Sequence, residues 1–196
     1  MLLLGMCMDA LIPALLAVLL SETGGKTQAL ALGYGLATRV REGVTALFVS
    51  SLLSYTVAAV GGYFIGQMLP AEARSLMLGV ALLAAGLPMV TKPKPAPVLP
   101  IGGGPFKSIF AFGRAQFGDG AQFLVFALAM RSDSPAFGAI GGLAGVMVAG
   151  FLPMALGKDW PNQRLIQFTR WCVAVILTIT GFWVSINALG IVNRGD

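Results

Sequence analysis

Ser21-Glu-Thr-Gly-Gly-Lys-Thr-Gln-Ala-Leu30 lies in the middle of an apolar stretch that runs from Met8 to Thr38. A stretch of roughly 20 apolar residues is enough to cross about 30 Å of hydrocarbon. A glycine pair inside such a span is the sequence sign of an interrupted helix, and an acidic residue there is costly enough to suggest function. A second segment, Ala115-Gln-Phe-Gly-Asp-Gly-Ala-Gln-Phe-Leu124, repeats the first. Gly24 matches Gly118, Gln28 matches Gln122 and Leu30 matches Leu124, while Glu22 aligns with Gln116 and Gly25 with Asp119. Both segments then run through apolar residues to an arginine, Arg39 and Arg131.

Outward from these segments the chain resolves into six apolar blocks: Met8–Thr38, Gly43–Met68, Ser75–Val90, Ser108–Met130, Ala136–Leu156 and Gln167–Val192. The third is the shortest and holds Pro88 near its end, so a five-span arrangement stays open. Of the 196 residues 57% are hydrophobic and 11% charged, and the mean hydropathy is +0.83. A soluble domain of this size carries far more charge on its surface. The expected fold is therefore an all-α polytopic membrane protein of about six transmembrane helices. One Pro/Gly/Lys segment, residues 92–107, favours extended structure and divides a first three-helix repeat, 1–91, from a second, 108–196. Three spans is an odd number, so the second repeat enters the membrane in the opposite sense. This is the inverted-repeat plan of many secondary transporters, whose site lies near the midplane between interrupted helices.

The net charge of +5 reports topology rather than a nucleic-acid partner. Arg39, Arg41, Lys92, Lys94, Lys107, Lys158, Arg164 and Arg170 fall in or beside the odd connections. Only Arg74, Arg131 and Arg194 fall on the opposite side, and Lys26 and Arg114 lie within spans. By the positive-inside rule the odd connections are cytoplasmic and both termini lie outside. Met1–Leu20 lacks a basic n-region and an A-x-A site, so it is expected to be retained. Cys7 and Cys172 read as small apolar packing residues, with no disulfide. The chain has no histidine and no credible nucleophile–base pair, which argues against an enzyme. Gly24–Thr27 spells Gly-Gly-Lys-Thr, but Ser21 stands where a phosphate loop needs its earlier glycine.

Asp9 and Glu72 sit at span ends and read as solvated, whereas Glu22 and Asp119 are embedded beside the glycine breaks. With the amides of Gln28 and Gln122 and freed backbone carbonyls, the two carboxylates form an oxygen-rich set suited to Ca²⁺, Mn²⁺ or Mg²⁺. Protons and a cation competing for the same carboxylates is the physical basis of antiport. Another reading stays open: Glu22 with Lys26, and Asp119 with Arg114, as ion pairs that merely pin helices together. Gly62-x-x-x-Gly66, Gly138-x-x-x-Gly142 and Gly141-x-x-x-Gly145 read as helix-packing surfaces, and Ser50, Ser51, Ser54 and Asn187 as cross-helix hydrogen-bonding residues.

At these residues the sequence resembles the Gdt-type calcium/manganese–proton antiporters, a family with one E-x-G-D-[K/R]-[S/T] motif per inverted three-span half. Glu22-Thr-Gly24-Gly25-Lys26-Thr27, followed by Gln28, resembles the motif of the first half. Gln116-Phe-Gly118-Asp119-Gly120-Ala121 resembles that of the other half. Gly25 stands where the first motif has its Asp, and Gln116, Gly120 and Ala121 replace the Glu, basic residue and hydroxyl of the other. Four acids have become two. The resemblance implies a cation–proton exchanger of a bilayer, taken as a bacterial inner membrane. Glu22 and Asp119 would be its cation and proton ligands, with Gly24, Gly25, Lys26, Thr27, Gln28, Gln116, Gly118 and Gln122 in support. It implies no resident cofactor, the cation entering as cargo. A non-transporting membrane scaffold and a small-metabolite exporter are the alternative functions.

Overall fold

A computed structural model describes residues 2–92, 95–97 and 104–190, with side chains described from Ala10 onwards. The side chains of Cys7 and Asp9 are not among those described, and Lys94, Arg194 and half of the 92–107 segment lie outside the described residues. The described chain is helical throughout, with no strand. The helices are α1 Leu2–Ser21, α2 Lys26–Leu36, α3 Val40–Met68, α4 Ala71–Gly86, α5 Pro105–Gln116, α6 Gly120–Ala129, α7 Pro135–Leu156 and α8 Gln163–Ala188. A 3₁₀ turn, Leu87–Val90, extends α4, and another, Gly157–Asp159, follows α7.

Local chemistry accounts for many of these boundaries. Proline opens α5 and α7, where its missing N–H would have had no partner in any case. The Asn162 side chain accepts the Leu165 N–H at 3.0 Å and starts α8 four residues before the apolar block begins at Gln167. The first and fourth apolar blocks are each broken in two, giving α1/α2 and α5/α6. The third block, the weakest in sequence, is a continuous helical segment over Ala71–Val90.

Among the described residues four helical segments are long and apolar enough to cross a bilayer: Val40–Met68, Ala71–Val90, Pro135–Asp159 and Gln163–Ala188. Ala10–Ser21 and Gly120–Ala129 are shorter apolar helices. The outward faces are apolar too, with Phe48, Leu52, Leu53 and Phe64 exposed on α3 and Trp171, Ile179, Phe182 and Trp183 exposed on α8. Lipid is the solvent such faces require.

Packing follows the glycines. Helix α3 lies against α5, α6 and α7, helix α7 against α1 and α2, and α4 against α8 and α6. A Cβ on Gly62 would sit 2.1 Å from the Phe126 carbonyl oxygen, and one on Gly66 2.5 Å from that of Met130. On α7, Gly141 and Gly145 abut the carbonyls of Leu11 and Leu15 in the same way. Close backbone approach of this kind is what small residues supply where no hydrophobic effect drives helices together. Two apolar clusters result. One, around Val18, Leu47, Tyr55, Phe112 and Val125, fills the centre; the other, around Leu82, Met89, Leu124 and Leu177, joins α4, α6 and α8.

Candidate functional site

The two helix breaks are built alike. In the first, Gly24 adopts φ +63°, the left-handed region that disfavours a side chain, and Gly25 takes the extended conformation before α2 begins. In the other, Gly118 adopts φ +74° and Asp119 takes the extended position before α6. A glutamine one turn on braces each break. Gln28 accepts the Gly24 N–H at 2.6 Å and donates to the Ala149 carbonyl of α7 at 3.2 Å. Gln122 accepts the Gly118 N–H at 2.8 Å and donates to the Ser54 carbonyl of α3 at 3.3 Å. Both amides therefore tie an interrupted span of one half to a continuous helix of the other. Each glutamine oxygen, expected from sequence among the cation ligands, is already engaged by a backbone N–H.

The breaks set the two carboxylates within electrostatic reach of each other. Glu22 is 1% exposed, and its side chain lies close enough to Asp119 for the two charges to repel. Thr27 donates to Glu22 Oε1 at 3.3 Å, while Oε2 has no hydrogen-bond partner. Asp119 is half-buried and within electrostatic reach of Lys26 and Arg170. It borders a cavity of about 100 Å³ whose wall includes Ser21, Gly25, Lys26, Gly120 and Arg170. It also borders a larger apolar groove of about 630 Å³ between α3, α4 and α6. Gln116, aligned with Glu22 in sequence, is equally buried and donates to Ser51 Oγ at 2.7 Å.

The ion pairs that would have made these charges purely structural do not form. Among the described residues the only ion pair within 4.0 Å is Arg39–Glu42, at the start of α3. Lys26 is exposed on its own side of the cavity, and Arg114 is exposed on α5. Nor does any group of three acidic, cysteine or histidine side chains gather among the described residues. The carboxylate complement of the site is the pair.

Arg170 is the site residue that the sequence pattern did not disclose, since it reads there as a loop charge. It sits inside α8 and is 5% exposed. Its guanidinium donates to the carbonyls of Thr23 at 2.9 Å, Pro88 at 3.1 Å and Met89 at 3.2 Å. It thereby satisfies the Thr23 carbonyl, left open at the first break, and that of Met89 beyond the end of α4, and shares the Pro88 carbonyl with Thr91. A Cβ on Gly24 would lie 2.6 Å from Arg170 Cδ, so the glycine admits the arginine as well as the turn. The sequence signal available was its spacing of eight residues from Asn162, a cap residue that puts position 170 two turns inside a helix.

Residues 105–191 match the model of a family described as divalent cation/proton antiporter GDT1. The resemblance noted in the motifs is thereby borne out in the half of the chain that holds Asp119. No curated protein and no solved structure matches the chain.

Proposed function

We propose that the chain belongs to the divalent cation/proton antiporter family whose model residues 105–191 match, and that it is a secondary transporter exchanging a cation for protons through Glu22 and Asp119. One observation carries this reading: two broken helices, from different halves of the chain, set a buried carboxylate, Glu22, and a half-buried one, Asp119, within electrostatic reach of each other. Nothing about helix packing alone requires that. The matched breaks, with Gln28 and Gln122 reaching across to α7 and α3, support an inverted-repeat arrangement with six membrane passages. In this arrangement one half rocks against the other and exposes the carboxylates to each side in turn. Both termini then face away from the cytoplasm of a bacterial inner membrane.

Each carboxylate serves proton and cation alternately, which couples the two fluxes. Thr27 and the braced breaks hold Glu22 and Asp119 in place, and Lys26 and Arg170 limit the surplus negative charge. The scaffold alternative loses its support, because the pairs it needs are not formed. The family's cargo is divalent, and manganese and calcium are the ions with which to test the reading. In proteoliposomes with an imposed pH gradient, Mn²⁺ or Ca²⁺ flux should follow the gradient and stop when it is collapsed. Flux that ignores the gradient would overturn the antiport reading.

The missing motif acid gives a sharper test. Gly25 has φ −75° and ψ −176°, close to the −85° and 158° of Asp119, so Asp fits the backbone there. A Cβ would lie 3.1 Å from the Glu22 carbonyl oxygen and 3.4 Å from Oε2, which a shift of a few tenths of an ångström accommodates. Gly25→Asp is therefore expected to fold normally and to tighten Mn²⁺ binding by about tenfold or more, since one further carboxylate ligand contributes at least ~1.4 kcal/mol. Isothermal titration on both proteins reads this directly, and unchanged Mn²⁺ affinity in a folded variant would count against position 25 facing the ion.

A further inference from the structure

Phe168, Trp171, Val175, Ile179 and Phe182 face outward along α8, each more than half exposed. Their spacing of three and four residues keeps them in one line on the helix. From Phe168 to Phe182 the line rises about 21 Å, at 1.5 Å per residue. One acyl leaflet, half of the hydrocarbon core, is about 15 Å deep. At the N-terminal end of this line the surface changes character. A cavity of about 370 Å³ is walled there by Lys92, Gln163, Arg164, Gln167, Phe168 and Trp171. Arg164, Phe168 and Trp171 share one face of α8, while Lys92 comes from the chain just beyond the 3₁₀ turn that extends α4. The Trp171 indole N–H donates to the Val90 carbonyl at 3.2 Å and holds the two walls together. Lys92 and Arg164 are exposed, and neither has an ion-pair partner among the described residues. Gln167 is half-buried between them and its amide forms no hydrogen bond, with Oε1 shielded from solvent. Three polar groups at this cavity are therefore uncommitted by the fold.

We propose that this cavity binds the headgroup of an anionic phospholipid, with Lys92 and Arg164 on the phosphate and the acyl chains along the Phe168–Phe182 line. Charge complementarity selects the class. The wall holds two cations and no carboxylate, so a net-negative head is matched, whereas the ammonium of a zwitterionic lipid finds no anion. The cavity near the other end of α8 lacks this bias, since Glu72 and Arg131 both line it. The Arg164 guanidinium presents paired N–H donors to phosphate oxygens, and the Gln167 amide adds neutral ones. Trp171 stands between the basic cavity and the apolar line, where an indole is favoured at the edge of the hydrocarbon. A free phosphate would meet the same cations but leave that line uncovered, and the two features together commit the site to a lipid. Lys92 follows α4 and Arg164 begins α8, so a bound phosphate ties together the elements that Arg170 also joins. The site shares no residue with the Glu22–Asp119 pair, and it stands or falls independently of the transport reading.

The test is thermal unfolding of the purified full chain in mixed micelles. Phosphatidylglycerol is titrated against phosphatidylcholine at constant total lipid and ionic strength. Phosphatidylglycerol should raise the unfolding midpoint saturably, and phosphatidylcholine should not. Lys92→Gln/Arg164→Gln should unfold like wild type without anionic lipid, because both side chains are exposed and unpaired. The same variant should bind phosphatidylglycerol at least about tenfold more weakly. Lys92→Arg/Arg164→Lys should restore the shift. Arg41→Gln/Lys158→Gln removes the same charge from exposed positions outside the cavity and should leave the titration unchanged. Equal stabilisation by the two lipids would overturn the proposal. So would an equal loss in both charge-removing variants, which leaves only diffuse surface charge as the cause. Glycerol phosphate added to protein in detergent alone should give no shift; a shift equal to that of the lipid would make the free phosphate the ligand and overturn the lipid site.

Discussion

Glu22→Gln/Asp119→Asn is expected to lower gradient-driven cation flux by at least about 100-fold, because each lost charge–ligand interaction in a dry site costs on the order of 3 kcal/mol. The substitutions are nearly isosteric, so the fold should survive. Gln at position 22 still accepts the Thr27 hydroxyl through its amide oxygen, and Asn at position 119 can still begin α6. What neither amide can do is lose a proton. A carrier that exchanges a cation for protons needs a group that is charged when it holds the cation and neutral when it returns, and an amide has one state only. Each single substitution should therefore stop coupled exchange. Gel filtration and thermal unfolding establish that the variants are folded, and proteoliposome flux gives the answer. Near-normal flux in both single variants would remove Glu22 and Asp119 from the pathway.

The helix breaks and the acids within them were legible in the sequence because their causes are local. A glycine pair inside an apolar block predicts an interruption wherever the rest of the chain goes, and both interruptions are present in the structure. The packing glycines were equally legible from their spacing: Gly62, Gly66, Gly141 and Gly145 meet backbone carbonyls of neighbouring helices, and Gly138 and Gly142 meet side chains. Tertiary partners were not legible. Gln28 and Gln122 read as ligands in sequence because an amide beside a buried acid is a plausible donor. Only the fold reveals the Ala149 and Ser54 carbonyls that each amide reaches. Tyr55 was invisible for a similar reason: an aromatic residue in an apolar helix reads as core until its hydroxyl is found buried opposite a carboxyl. The motif departures at Gly25 and Gln116 were visible from the start. Their consequence for charge needed Lys26 and Arg170 to be located around Asp119.

Arg170→Met is expected to destabilise the protein by about 2–4 kcal/mol, because two carbonyls are each left without their donor. Methionine replaces the aliphatic stem but none of the donors. The carbonyls of Thr23 and Met89 then lose their guanidinium donor, while the exposed Pro88 keeps its hydrogen bonds from Thr91. Trp171, which donates to the Val90 carbonyl at 3.2 Å, cannot compensate, because it is exposed and faces the next carbonyl along. Arg170→Lys should recover only part of the loss, since one ammonium cannot span three carbonyls as a planar fork does. The exposed Arg164, a turn and a half earlier on the same helix, is the control: Arg164→Ala should stay within about 0.5 kcal/mol of wild type. Denaturant or thermal unfolding of the three proteins measures this directly. The ordering also bears on transport, because Arg170 holds the first break against α4 while opposing the charge of Asp119. If Arg170→Met unfolded like the Arg164→Ala control yet retained flux, the guanidinium would be neither the anchor of the break nor part of the charge balance around the carboxylates.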